Sequence, residues 1–157
     1  MSFFGFVEDS IRQYIVEMVN KIIVEKSLPF ERADSQVEIR DAYGRRQSFP
    51  DIVVWEKGGV LGKASLLIEL KQPKYNPLDP EIVDSAFLKA SKVGAPYFAT
   101  SNMQTLVLFD SYEQAGLMDR RKGIYKISTS IGHPNDIIRE DVRREMEEGL
   151  RNFLLNF

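Results

Sequence analysis

Apolar residues recur at helical spacing from the start of the chain. Phe4, Val7, Ile11, Ile15, Met18 and Ile22 form one stripe at about 100° per residue, which predicts a helix over roughly residues 4–26. Leu28-Pro29-Phe30 closes it, because a proline ring disfavours the helical conformation in the residue before it. Strand signals follow. Gln36-Val37-Glu38-Ile39-Arg40 alternates and turns at Tyr43-Gly44, and Ile52-Val53-Val54-Trp55 runs from Pro50-Asp51 to the turn Glu56-Lys57-Gly58-Gly59. Ala64 to Lys71 predicts a third strand, whose unbroken Leu66-Leu67-Ile68 fits burial on both faces. Pro73, Pro77 and Pro80 constrain the next loop, and Asp79 caps a helix with Pro80 at its first position that stops at Gly94. Short strands are expected at 97–100 and 105–109 around Ser101-Asn102, with another at 124–127. Asn135 is the expected cap of a broken helix that runs through Met146, Leu150, Phe153 and Leu154. The order α-β-β-β-α-β-β-α predicts an α/β fold: a mixed central sheet flanked by helices on both faces, in one domain over 1–157.

Composition narrows the function classes. An apolar fraction of 43% with 28% charged residues describes a globular chain. A formal net charge of −2, from 21 basic and 23 acidic residues, excludes a generic polybasic binder of nucleic acid or membrane surfaces but leaves room for a local basic groove. Two short basic clusters in expected loops, Arg45-Arg46 and Arg120-Arg121-Lys122, are either solvated turns or groove flanks that hold a DNA backbone. The absence of cysteine excludes disulfides, thiolate zinc sites and cysteine catalysis. The single histidine, His133, precedes Pro134 without a ligand partner at suitable spacing and reads as an ordinary surface residue. Gly58-Gly59-Val60-Leu61-Gly62 lacks the Gly-Lys-Ser/Thr ending of a phosphate loop and reads as a hairpin turn. Trp55 is most simply a core residue. No apolar run reaches the roughly 18–20 residues that span a bilayer, so a soluble, cytoplasmic protein with no membrane partner is expected.

Candidate chemistry gathers at four positions. Glu8 falls inside the apolar stripe of the first helix, where a carboxylate needs a partner. A rim position or a pair with Arg12 would satisfy it. Asp51 opens one strand directly after Pro50. Glu69 and Lys71 stand two apart near the end of the next, so both project from one face while Leu70 points away. A solvated pair at a strand end is one reading. In the other, a hairpin brings Asp51 beside Glu69, two carboxylates converge on a hard cation, and the lysine orients or helps deprotonate water.

Pro50-Asp51 followed by Glu69-Leu70-Lys71 on the neighbouring strand resembles the signature of the PD-(D/E)xK nucleases. The surrounding order of helix, strands, helix and strand resembles most the N-terminal nuclease domain of Type I restriction endonuclease subunits and related restriction-modification fusions, from about Val7 to Asp110. Gly94-Ala95-Pro96-Tyr97, Thr100-Ser101-Asn102 and Leu108-Phe109-Asp110 also resemble that group. The resemblance implies a restriction-endonuclease-like core and an Mg²⁺-dependent endodeoxyribonuclease, with Mn²⁺ as a substitute. Asp51, Glu69 and the Leu70 carbonyl would ligate the metal, Lys71 would position the attacking water, and Glu8 would hold a metal-bound water or a second cation. Phosphodiester hydrolysis would leave 5′-phosphate and 3′-hydroxyl ends. DNA and other domains or subunits of a restriction-modification enzyme are the implied partners, and a homodimer is compatible with cutting both strands. The pattern departs at the Gln-x-x-x-Tyr motif often found on the crossover helix: those positions are Ser85 and Lys89, and Lys89 and Lys92 read as a solvated helix face, with contact to a phosphate as the other reading.

Two alternatives remain from the residues alone: a catalytically silent nuclease-like module that binds nucleic acid or protein, and a structural partner domain. The apolar end of the last helix suggests a fragment of a longer polypeptide, with Phe153, Leu154 and Phe157 packing on other parts of it.

Overall fold

The structure, a computed structural model, describes residues 3–35, 39–40, 46–48, 52–58, 63–113 and 115–157, with side chains at these positions except 3–9, 39–40 and 46–48. Helix α1 (Phe3–Glu25) buries Ile11, Ile15, Met18 and Ile22, as the apolar stripe requires. It ends with Ser27 in the left-handed region (φ 51°), where the Ser27 and Leu28 amides donate to the Val24 and Ile23 carbonyls. Helix α2 (Pro80–Val93) keeps its expected boundaries: the Asp79 side chain accepts from the Glu81 amide at 3.0 Å, and Gly94 closes the helix at φ 71°.

The strands are β1 (Phe30–Ser35), β2 (Ile39–Arg40), β3 (Arg46–Ser48), β4 (Ile52–Glu56), β5 (Ala64–Leu70), β6 (Tyr97–Ser101), β7 (Thr105–Asp110) and β8 (Arg121–Lys126). Six of them form one mixed sheet in the order β1-β4-β5-β6-β7-β8, while β2 and β3 pair separately. Only β5 and β6 run parallel in that sheet, joined through α2. Strand residues alternate between two cores. Ile52, Val54, Leu66, Ile68, Leu106 and Leu108 pack with α1 and α3 (Glu140–Asn156), whereas Val53, Leu67, Phe98, Val107 and Phe109 pack with α2. Burial on both faces is the reason for the unbroken apolar runs.

Four expectations change. The strand that follows α1 and pairs with β4 is Phe30–Ser35; of Gln36–Arg40, residues 36–38 lie outside the described residues and only Ile39–Arg40 is a described strand. The helix cap near the C-terminus is His133, whose Nδ1 accepts from the Asn135 amide while the Asp136 carboxylate accepts from the His133 amide. It opens a short 3-10 helix (Pro134–Ile138) ahead of α3. Phe153 and Leu154 are buried in this chain's own core, and Phe157 packs on Phe30, Tyr97 and Phe153, so none of the three needs another part of a polypeptide to cover it. Trp55 is only half-buried against the α2-side core, and its indole N–H donates to Asp34 at 2.9 Å.

Candidate active site

Strand alternation dictates where the first candidate side chain points. After Leu67 faces α2, the next residue of that parity is Glu69, and it too projects towards α2. Its side chain is 3% exposed, so the carboxylate needs cations close by. Lys89 of α2 supplies one. Its ammonium donates to both carboxylate oxygens, at 2.9 and 3.1 Å, and is itself 17% exposed. Lys71 supplies a second at 3.7 Å and is more open to solvent. The Lys71 amide donates to the Ser101 carbonyl at 2.7 Å, which extends the β5–β6 pairing one residue past β5 and fixes the lysine's root.

These groups open into a cleft of about 570 Å³ between the first half of α1, the end of β5 and one side of α2. Ile11 and Arg12 form one wall, Glu69, Leu70 and Lys71 the floor, and Ser85 and Lys89 the opposite wall. The loop after Lys71 forms the rim, pinned by two buried polar side chains. The Thr100 hydroxyl donates to the Pro77 carbonyl at 2.6 Å, and the Asn102 amide donates to the Tyr75 carbonyl at 2.9 Å. Asn102 in turn accepts from the Gln104 and Thr105 amides, which ties the rim to the β6–β7 turn.

The structure brings Glu69, Leu70 and Lys71 together in this cleft. Glu8 lies on α1 one turn before Ile11 and Arg12; its side chain lies outside the described residues. Asp51 and Arg45 also lie outside the described residues, and Arg46 is placed on β3 by its backbone alone. Arg120, Arg121 and Lys122 are not brought to the cleft. They occupy a 3-10 turn (Leu117–Arg120) and the start of β8 rather than a loop. Arg121 pairs with Phe109, while Lys126 pairs with Thr105 at the cleft end of the sheet, so the basic cluster sits at the other end. There the Arg120 guanidinium donates to the Ser111 and Ala115 carbonyls and stacks over Phe87, and Lys122 pairs with Glu113 at 3.0 Å.

Lys89 is read from the sequence as a solvated helix position or a phosphate contact, whereas the structure holds it in the cleft on Glu69. A signal existed. Lys89 is seven residues after buried Ile82, about 20° away on a helical wheel, and three after buried Ala86. Ser85 and Lys89, the two positions where the Gln-x-x-x-Tyr motif was sought, both line the cleft.

Among the described residues no group of three acidic or histidine side chains is placed to hold a metal ion. The donor set is nonetheless of the right kind for a hard cation. An anionic oxygen pair lies at the floor, and the Lys89 ammonium, a cation, already sits on both oxygens.

The fold has a solved counterpart. The type IIG restriction endonuclease BpuSI matches over 91% of this chain with a TM-score of 0.67 at 15% identity, and the chain spans 16% of that enzyme's length. A DUF820 protein from Anabaena variabilis ATCC 29413 aligns over 94% of this chain and 82% of its own, with a TM-score of 0.48 at 14% identity. No curated protein matches the chain. The family model described as the Type I restriction enzyme R protein N terminus (HSDR_N) matches residues 7–127, well over half the chain, and this protein belongs to that family.

Proposed function

We propose that the chain is the DNA-cleaving domain of a restriction enzyme, hydrolysing phosphodiester bonds with a divalent cation. The observation that carries this reading is Glu69: a buried carboxylate at the end of a central strand, flanked by two lysines, on the floor of an open cleft. Family membership supports it, as does the fold shared with a type IIG restriction endonuclease.

Asp51, Glu69 and the Leu70 carbonyl would hold Mg²⁺ or Mn²⁺. Asp51 is bonded to Ile52, and Ile52, Val53 and Val54 face Ile68, Leu67 and Leu66. Asp51 thus directly precedes, in sequence, the strand that pairs with the one carrying Glu69. Such an ion supplies charge neutralisation at the phosphate and a more acidic water. Lys71, the more exposed of the two lysines, orients that water and offsets charge developing on the phosphate. Glu8, one turn before the cleft wall, holds a water or a second cation. Other domains of a restriction enzyme choose the target, and the protein works in the cytoplasm. No helix among the described residues is long and apolar enough to cross a membrane.

One observation favours a second reading, a silent nucleic-acid-binding module: Lys89 covers both oxygens of Glu69. Incubation of supercoiled plasmid with the chain separates the two. Cleavage that needs Mg²⁺ or Mn²⁺ and disappears in Asp51→Ala supports the nuclease. Salt-sensitive DNA binding without cleavage, unchanged in Asp51→Ala, supports the module.

A further inference from the structure

We propose that Lys89 acts as a resident cation on Glu69, so that a divalent metal binds only by displacing its ammonium from the carboxylate. This rests on the metal-dependent reading above and adds to it a positioning residue that controls metal loading. Three observations carry it. The ammonium lies within hydrogen-bond distance of both Glu69 oxygens, so it occupies the donors a metal would need. The pair is shielded, at 17% and 3% exposure, so its attraction is weakly screened. Lys89 also lines an open cleft, so the displaced side chain has room to swing away from the carboxylate while staying hydrated.

The physical consequence follows from competition. With Lys89 in place the carboxylate's charge is already compensated, and a metal must break a shielded ion pair to reach it. Metal affinity in the resting chain is therefore weaker than the donor oxygens alone would give. Lys71, at 3.7 Å and 38% exposed, obstructs the metal far less.

Calorimetric titration of the 157-residue chain with MnCl₂ tests this. The expected result is that Lys89→Gln binds Mn²⁺ about tenfold or more tightly than wild type, each tenfold corresponding to about 1.4 kcal/mol. Lys89→Arg, which keeps the charge, should return towards the wild-type affinity, and Lys92→Gln on the exposed side of α2 should leave it unchanged. A merely structural lysine would instead leave affinity unchanged or lower it. If wild type binds Mn²⁺ and Lys89→Gln binds it equally or less tightly, the inference fails while the metal reading stands. If neither binds Mn²⁺, both fail. Should Lys89→Gln not fold, lysine-selective NMR of the wild-type chain decides. The Lys89 ammonium resonance, assigned with Lys89→Arg, should shift on addition of MgCl₂; a resonance unmoved at saturating Mg²⁺ overturns the inference.

Discussion

Two charge clusters in this molecule mirror each other. At the end of β5 one carboxylate, Glu69, is held by two lysines; between α1 and α3 one cation, Arg151, is held by three carboxylates. Lys89 and Arg151 are equally exposed, at 17%, but their partners differ. Glu69 is 3% exposed, whereas Glu25, Glu147 and Glu148 are 42%, 22% and 77% exposed. The Arg151 cluster joins two helices and meets water that screens it. The Glu69 cluster puts an obligately paired charge at the floor of a cleft, where a ligand can compete for it. Burial of the anion, rather than the number of ion pairs, is what sets the Glu69 cluster apart from the Arg151 cluster.

The sharpest way to break the contrast is Glu69→Gln, which keeps the shape and removes the charge. Cleavage should fall roughly 10³-fold, the order expected on losing a preorganised electrostatic group, with Mn²⁺ binding lost in calorimetry while the fold survives by circular dichroism. Arg151→Ala in the same cleavage assay should change nothing.

Gly149→Ala probes the fastening side. A Cβ there would sit 2.6 Å from the Ile127 Cα and carbonyl oxygen and 2.7 Å from the Lys126 carbonyl oxygen, all backbone atoms that cannot turn aside. Destabilisation of about 1–3 kcal/mol or more, read by urea unfolding, is expected. The cleft, whose lining includes neither Gly149 nor Ile127, should keep its metal affinity in the fraction that folds.

Glu145 offers a carboxylate stabilised by neutral donors instead of cations. The Ser130 hydroxyl, the Thr129 amide and the Thr129 hydroxyl all donate to it, and together they lower it from 4.5 to about 2. Because the folded value is depressed, its contribution is complete above the unfolded value and is lost as pH falls from 4.5 through about 2. Glu145→Gln should therefore flatten the acid limb of the thermal midpoint across that window, measured against wild type.

The smallest effect belongs to Arg151→Ala. It should cost about 1 kcal/mol at low ionic strength, less in 1 M salt, because its partners are solvated. A larger, salt-independent loss would erase the contrast drawn between the two clusters.

Much of this was legible in the sequence for local reasons. Asp79, Pro80 and Gly94 bound α2 by capping chemistry, and Leu66-Leu67-Ile68 declared a strand covered on both faces. The Glu69/Lys71 pair stood out because a charge is expensive in such a strand. What stayed hidden depends on tertiary partners. β1 reads Phe-Glu-Arg-Ala-Asp-Ser and lacks an apolar alternation; it is placed by pairing with β4 and by Asn20 of α1, whose amide donates to the Ala33 carbonyl at 3.0 Å and accepts from the Ala33 amide at 2.8 Å. Lys89 looked like a surface lysine because its partner is twenty residues away, on another element. His133 became a cap because the chain turns there, which a histidine's preferences do not announce.

On the proposed metal-dependent reading, Glu69 takes a divalent cation with help from Asp51. Anomalous diffraction from a crystal of the chain soaked in MnCl₂ tests it most directly. The expected result is a manganese peak within about 2.2 Å of oxygens from both Asp51 and Glu69, with the Lys89 ammonium moved off the carboxylate. A map with no manganese there, Lys89 still seated on both oxygens and Asp51 turned away, would contradict it.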